Sequence, residues 1–152
     1  MVRRSAVAFG AIAHGRSVLA AQAAGADLAY VGSAFIAARE ANAAPDYKQC
    51  IVDSTASDIV YSNYFTGING NFLRGSIAAA GLDPDKLPVV LGQGLETDPA
   101  QSKPKAWSEI WGSGQGIGVV DRIESTAEIV SRLRAEYEQA FDGITAAAWV
   151  KA

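Results

Sequence analysis

Two short runs have residue types that could do chemistry. Phe9-Gly10-Ala11 and Val31-Gly32-Ser33 each come late in an apolar stretch, and they stand 22 residues apart. A glycine where a strand ends leaves backbone N–H groups unpaired and free of a covering Cβ, so an anion can approach them. A helix that follows adds a partial positive charge at its N-terminus. Donors of this kind contribute about 1.5 to 3 kcal/mol each toward a charged acceptor, so three or four hold a phosphate without a lysine. Ser33 adds a hydroxyl. One such glycine alone reads as a permissive turn, and the matched pair sets an anion site level with that reading. His14 opens the helix after the first turn, where it serves as a helix-start residue or a phosphate contact.

The elements that must position these turns follow from the apolar pattern. Ala6–Ala13 and Leu28–Ala37 lack in-out alternation, as suits parallel strands covered on both faces. Between them, Gly15 to Gly25 is an alanine-rich helix with a C-terminal glycine. Residues 6–37 therefore predict a right-handed strand-helix-strand unit. Arg3 and Arg4 followed by Ser5–Ala13 have the outline of a secretory signal, but the return of the same character at Leu28–Ala37 argues for a strand. Residues 38–124 predict a helical, loop-rich insertion. It contains a helix over Ile36–Ala44, a second from Pro45 to about Ala56, and a strand or hairpin arm over Ile59–Phe65 turned by Gly67–Gly70. A helix over Asn71–Ala80, a surface loop over Leu82–Lys105 and a short helix over Lys105–Trp111 follow. Ser125-Thr126-Ala127-Glu128 fits a capping box. It opens a packing helix over 125–142 whose apolar face is Ile129, Val130, Leu133, Tyr137, Ala140 and Phe141, with Arg132, Arg134, Glu136 and Glu138 in water.

Composition removes several classes. A chain of 152 residues with 49% hydrophobic and 19% charged residues is one globular unit. Net charge is -3 and the basic residues are scattered, so no nucleic-acid grip is expected. One cysteine and one histidine allow neither an internal disulfide nor a transition-metal ligand set. Arg16, Asp27 and Arg39 interrupt the apolar N-terminal third, so no membrane span is expected and a cytoplasmic location is. Cys50 reads as packed within its helix, Asp83, Asp85, Asp98 and Asp121 as scattered loop acids, and the alternating glycines of 112–118 as no dinucleotide fingerprint.

The run Ala8-Phe9-Gly10-Ala11-Ile12-Ala13-His14-Gly15-Arg16, then Gly25 to Ala37, resembles the last two β/α units of the nitronate monooxygenases. Tyr47-Lys48, Phe65-Thr66-Gly67, Asn71-Phe72-Leu73-Arg74, Gly81-Leu82-Asp83-Pro84, Lys103 to Trp107, Ile110-Trp111, Gly114-Gln115-Gly116 and the last helix continue the resemblance in order over residues 6 to 141. It implies the C-terminal portion of a TIM (β/α)8 barrel that binds FMN and oxidises alkyl nitronates with O2 to a carbonyl compound and nitrite. In such barrels phosphate commonly sits at the loops after strands seven and eight. Carried over, Gly10 and Ala11 match the first phosphate loop, Tyr30, Val31, Gly32 and Ser33 match the second, and Gln115 approaches the flavin. The family often has glycine where this chain has Ala11, and threonine-arginine where it has Ser33-Ala34.

The family's catalytic histidine has no counterpart here, so no residue is assigned a catalytic role. A full barrel takes about 250 residues. Residues 1–152 are therefore expected to form a single partial domain, completed by an N-terminal half-barrel from another chain or associated as a homo-oligomer. The alternatives are a non-catalytic truncated remnant and a fragment of a flavin-dependent enoyl-acyl-carrier-protein reductase barrel, which shares this terminal pattern.

Overall fold

A computed structural model describes residues 5–90 and 108–147. β1 (Val7–Ala8) and β2 (Leu28–Ala29) pair in parallel, Val7 opposite Leu28 and Ala8 opposite Ala29, with α1 (Gly15–Ala23) between them in the chain. Tyr30 N donates to Ala8 O at 2.8 Å and Leu28 N to Ala6 O at 3.1 Å. Both apolar runs thus yield only short strands. α1 ends where Gly25 takes φ +93°, a left-handed conformation that an alanine helix needs a glycine to reach.

α2 (Ser33–Ile36) is a single turn, and α3 (Pro45–Val52) starts with Pro45 in its first turn. The helix expected over Ile36–Ala44 is therefore not formed. Its backbone is claimed from outside: Arg39 N donates to Glu124 O at 2.8 Å, and Lys48 Nζ donates to Arg39 O at 3.0 Å. β3 (Ile59–Ser62) lies within the arm expected over Ile59–Phe65, and it pairs antiparallel with β4 (Gly70–Leu73), a strand that was not expected, with Ile59 opposite Leu73. The helix expected from Asn71 begins instead at Arg74 (α4, Arg74–Ala79), because Phe72 and Leu73 are fully buried as strand residues. Nor do residues 108–111 continue a helix: Leu73 N donates to Trp111 O and Ser113 N to Asn71 O, so this segment lies along β4. Trp107 and most of the expected 82–105 loop fall outside the described residues.

α5 (Thr126–Ala146) is longer than its expected span, and its capping box is formed on both sides by Ser125 and Glu128. The core gathers Ala34, Ala37, Ala38, Ile51, Leu73, Ile117, Val120 and Ile129, beside a second cluster of Phe65, Phe72, Ile77 and Ile110. Val130 and Phe141 do not share α5's buried face: both are about half exposed. Arg132 and Glu136 do, at 17% and 18% side-chain exposure, contrary to the expectation that they stand in water. The face turned toward α1 carries them because they pair with each other and with Glu124.

Three carboxylates close the N-terminal turns of this scaffold. Glu40 accepts from Thr126 N, Asp58 from Thr55 N and Glu128 from Ser125 N, and these backbone bonds hold all three below the ordinary carboxylate range. A carboxyl whose folded pKa is depressed contributes stability above its unfolded pKa and loses it as pH falls. The unfolding midpoint followed by circular dichroism should be level from pH 7 to about 5 and should fall below about 4.5. A level midpoint down to pH 3 would remove these caps from the account.

Candidate functional site

Because β1 and β2 run parallel and in register, the turns that follow them leave from the same end of the pair. The first holds Gly10 at φ +98° and Ala11 at φ +53°. The second holds Val31, Gly32 and Ser33. Gly32 lies at φ -111°, which any residue adopts, so its lack of a side chain matters for space. A Cβ on Gly10 would meet nothing within 4 Å, and one on Gly32 would meet only the Tyr30 ring at 3.5 Å. The amides of Gly10, Ala11, Val31 and Gly32 have no acceptor among the described residues. The site is thus a pair of turns with unspent donors and open space where Gly10 and Gly32 lack a side chain. Tyr30 differs from its neighbours, since its N–H is used in the sheet.

Helix fields contribute less than the sequence suggested. Four residues, Ala11 to His14, separate Gly10 from α1, and the helix start is already occupied. Gly15 N donates to Glu136 Oε2 at 2.8 Å, and Arg16 N to His14 Nδ1 at 3.1 Å. His14 is therefore the N-cap of α1, and a carboxylate from α5 neutralises the helix start that would otherwise attract an anion. α2 is too short to add a field of its own. Any anion held here is held by the turns.

The segment 113–116, whose Gln115 the resemblance brings toward the flavin, touches both turns. Gly114 N donates to Ser33 Oγ at 3.1 Å. Gly116 lies on the first turn: a Cβ there would stand 3.2 Å from Ala13 Cβ and 3.5 Å from Ala11 Cα. The alternating glycines of 112–118 signalled close backbone approach, which the test for a dinucleotide fingerprint does not register. Ser113 Oγ, in the same segment, is a buried side-chain oxygen without a partner among the described residues.

Beside the second turn lies a cleft of about 540 Å3 lined by Tyr30, Val31, Gly32, Phe35, Tyr47 and Trp111, among others, with no charged side chain among the described residues of its wall. Tyr47 and Trp111 stack at 5.1 Å and 13°, and the Tyr47 hydroxyl donates to Gly112 O. Burial pushes that hydroxyl's pKa up, so it stays protonated at neutral pH. Cys50 is also raised by burial and is no thiolate nucleophile. Among the described residues no cluster could hold a metal ion and no helix is long and apolar enough to cross a membrane.

The first turn allows a direct check of backbone strain. Alanine in the left-handed region costs about 1 to 2 kcal/mol, and glycine recovers this less about 0.5 to 1 for its greater unfolded freedom. Ala11→Gly should raise stability by about 0 to 1.5 kcal/mol, whereas Gly10→Ala should lower it by about as much. Urea unfolding of the two variants measures both. Equal destabilisation would mean that the turn is not in this conformation.

A family model described as nitronate monooxygenase matches residues 5–136. A Mycobacterium tuberculosis protein with a provisional monooxygenase name is 31% identical over 147 residues, covering 86% of this chain and 38% of its own length. A Staphylococcus saprophyticus protein named as a probable nitronate monooxygenase is 30% identical over 129 residues, covering 81% and 36%. The chain thus spans little more than a third of these curated relatives. FabK from Thermotoga maritima superposes with a TM-score of 0.66 at 23% identity, over 94% of this chain and 47% of that one. Nitroalkane oxidase from Streptomyces ansochromogenes superposes at 0.62 and 23%, over 94% and 42%. Both likenesses concern the fold.

Proposed function

This chain belongs to the nitronate monooxygenase family, and on that premise we propose that it supplies the phosphate-holding part of an FMN-dependent (β/α)8 barrel that oxidises alkyl nitronates with dioxygen to a carbonyl compound and nitrite. What carries the reading is the pair of turns at one end of β1 and β2, with four amides unspent and no Cβ in front of Gly10 or Gly32. That arrangement fits a phosphate monoester. The amides of Gly10, Ala11, Val31 and Gly32 would hold it, with the Ser33 hydroxyl as a further donor, while Tyr30 offers its ring rather than its amide. FMN, when bound, supplies the electron exchange between nitronate and dioxygen. In the cleft beside Gly32, burial keeps the proton on Tyr47, which leaves its ring and that of Trp111 as a neutral wall next to the second turn.

Titrating the purified chain with FMN and with riboflavin, and following flavin fluorescence, tests this. FMN should bind at least tenfold more tightly, since only FMN carries the phosphate that the amides address. Equal binding, or none, would leave the turns as plain strand-to-helix connections. Nitrite release from an alkyl nitronate by the completed barrel tests the chemistry, and its absence alongside enoyl-thioester reduction would favour the reductase reading.

The parallel pair also bears on partners. Val7, Phe9, Leu28 and Tyr30 are 50%, 81%, 60% and 67% exposed, and both outer strand edges lack a partner among the described residues. We propose that further strands cover them, from a complementing half-barrel or another copy of the chain. Light scattering should then give a mass above that of one chain, and a clean monomer would contradict the proposal.

A further inference from the structure

Resting on the phosphate reading above, we infer that Gly114 and Gly116 are a clasp that sets the spacing of the two amide turns, and are thereby positioning residues for the phosphate. β1 and β2 are two residues each, so strand pairing alone fixes the turns weakly. Residues 113–116 touch both turns at once. Gly114 donates its N–H to Ser33 Oγ on the second, which engages a lone pair of that oxygen and leaves its proton for a ligand. Two residues on, Gly116 rests against the first turn: a Cβ there would press on Ala13 Cβ at 3.2 Å, tighter than most such contacts, and would touch Ala11 at 3.5 Å.

The clasp itself is held at both ends. Upstream, Ser113 N donates to Asn71 O and Leu73 N to Trp111 O, tying it to β4. Downstream, a 3-10 turn over Gln115–Val119 carries Ile117, fully buried in the main core, with Ile117 N donating to Gly114 O. A strut anchored in the core and touching both turns fixes their separation, and the geometry of a multidentate anion site depends on that separation.

The test uses the whole chain with FMN and riboflavin as probes, and circular dichroism to confirm folding. Gly116→Ala should weaken FMN about tenfold and change riboflavin less than twofold. Ser33→Ala, which removes both the acceptor for the Gly114 N–H and a donor to the phosphate, should weaken FMN more than about tenfold, and Ser33→Thr should restore it to within about twofold. Val119→Ala, an exposed position in the same 3-10 turn, should change neither. If Gly116→Ala does not fold, Gly114→Pro, which removes the N–H given to Ser33 Oγ and leaves the Ser33 hydroxyl in place, decides instead, with the same loss of about tenfold in FMN affinity expected. Wild-type affinity for FMN in the folded variants overturns the clasp, as does equal weakening of FMN and riboflavin. An unmutated chain that fails to prefer FMN over riboflavin overturns the underlying phosphate reading instead.

Discussion

Gly15→Ala is expected to destabilise the chain by about 3 kcal/mol, at the top of the range for overpacking. A Cβ at this position would lie 2.2 Å from Tyr137 N, 2.4 Å from Leu133 O and 2.6 Å from Glu136 C. All three are backbone atoms of α5, so no side-chain rotation relieves the contact. Since ordinary contact begins at 3.4 Å, α1 and α5 would have to part by at least 1.2 Å at their closest point. Gly143→Ala, in the same α5 with nothing within 4 Å of its Cβ, should instead stabilise by about 0.5 to 1 kcal/mol. Urea unfolding of the two variants reads the contrast. A Gly15→Ala chain as stable as the parent would mean that the helices do not cross here.

Glu136→Ala should cost about 2 to 3 kcal/mol, the range for a charged hydrogen bond with its buried partner left unsatisfied. This carboxylate accepts from buried Gly15 N at 2.8 Å and from Arg132 Nη1 at 3.2 Å, and stands 3.4 Å from His14 Nδ1. Arg132 in turn donates through Nε to Glu124 Oε2 at 2.9 Å. Burial disfavours the charge on Arg132, but the bonds to Glu124 and Glu136 outweigh it and raise its pKa above the ordinary value, so the guanidinium stays charged. Glu136→Gln keeps an acceptor for Gly15 N and should recover about half the loss. Because the group is mostly buried, 0.5 M salt should reduce the effect only in part. Thermal unfolding that places the Ala variant within about 0.5 kcal/mol of the parent, or that makes Gln no better than Ala, would remove Glu136 from the scaffold.

Particular residues explain what the sequence disclosed and what it hid. The β1-α1-β2 unit was legible because two apolar runs with closing glycines have only one compact parallel arrangement. The start of α5 was legible because a capping box is local. Helix over Ile36–Ala44 was misjudged because alanine propensity is weak, and Glu124 and Lys48 take the backbone groups of Arg39. Asn71–Leu73 looked helical until its partner on the far side, residues 111–113, was known. Arg132 and Glu136 were placed in water by residue type, yet long charged side chains go inside when they meet opposite charge there. Of the site, the glycine turns could be read directly. The resemblance brought Gln115 toward the flavin, but the contacts of Gly114 with Ser33 and of Gly116 with Ala11 could not be read, because they span more than 80 residues of chain.

The bond from Gly15 to Glu136 links positions 121 apart in sequence. At ribosomal speeds of about 5 to 20 residues per second, the first helix emerges about 6 to 24 s before its cap exists. During that interval His14 can already hold Arg16 N, but Gly15 N has no carboxylate from the far end. Nascent molecules therefore complete the start of their first helix late, in one step with the docking of the last helix, and chaperones that shield apolar segments have that long in which to act.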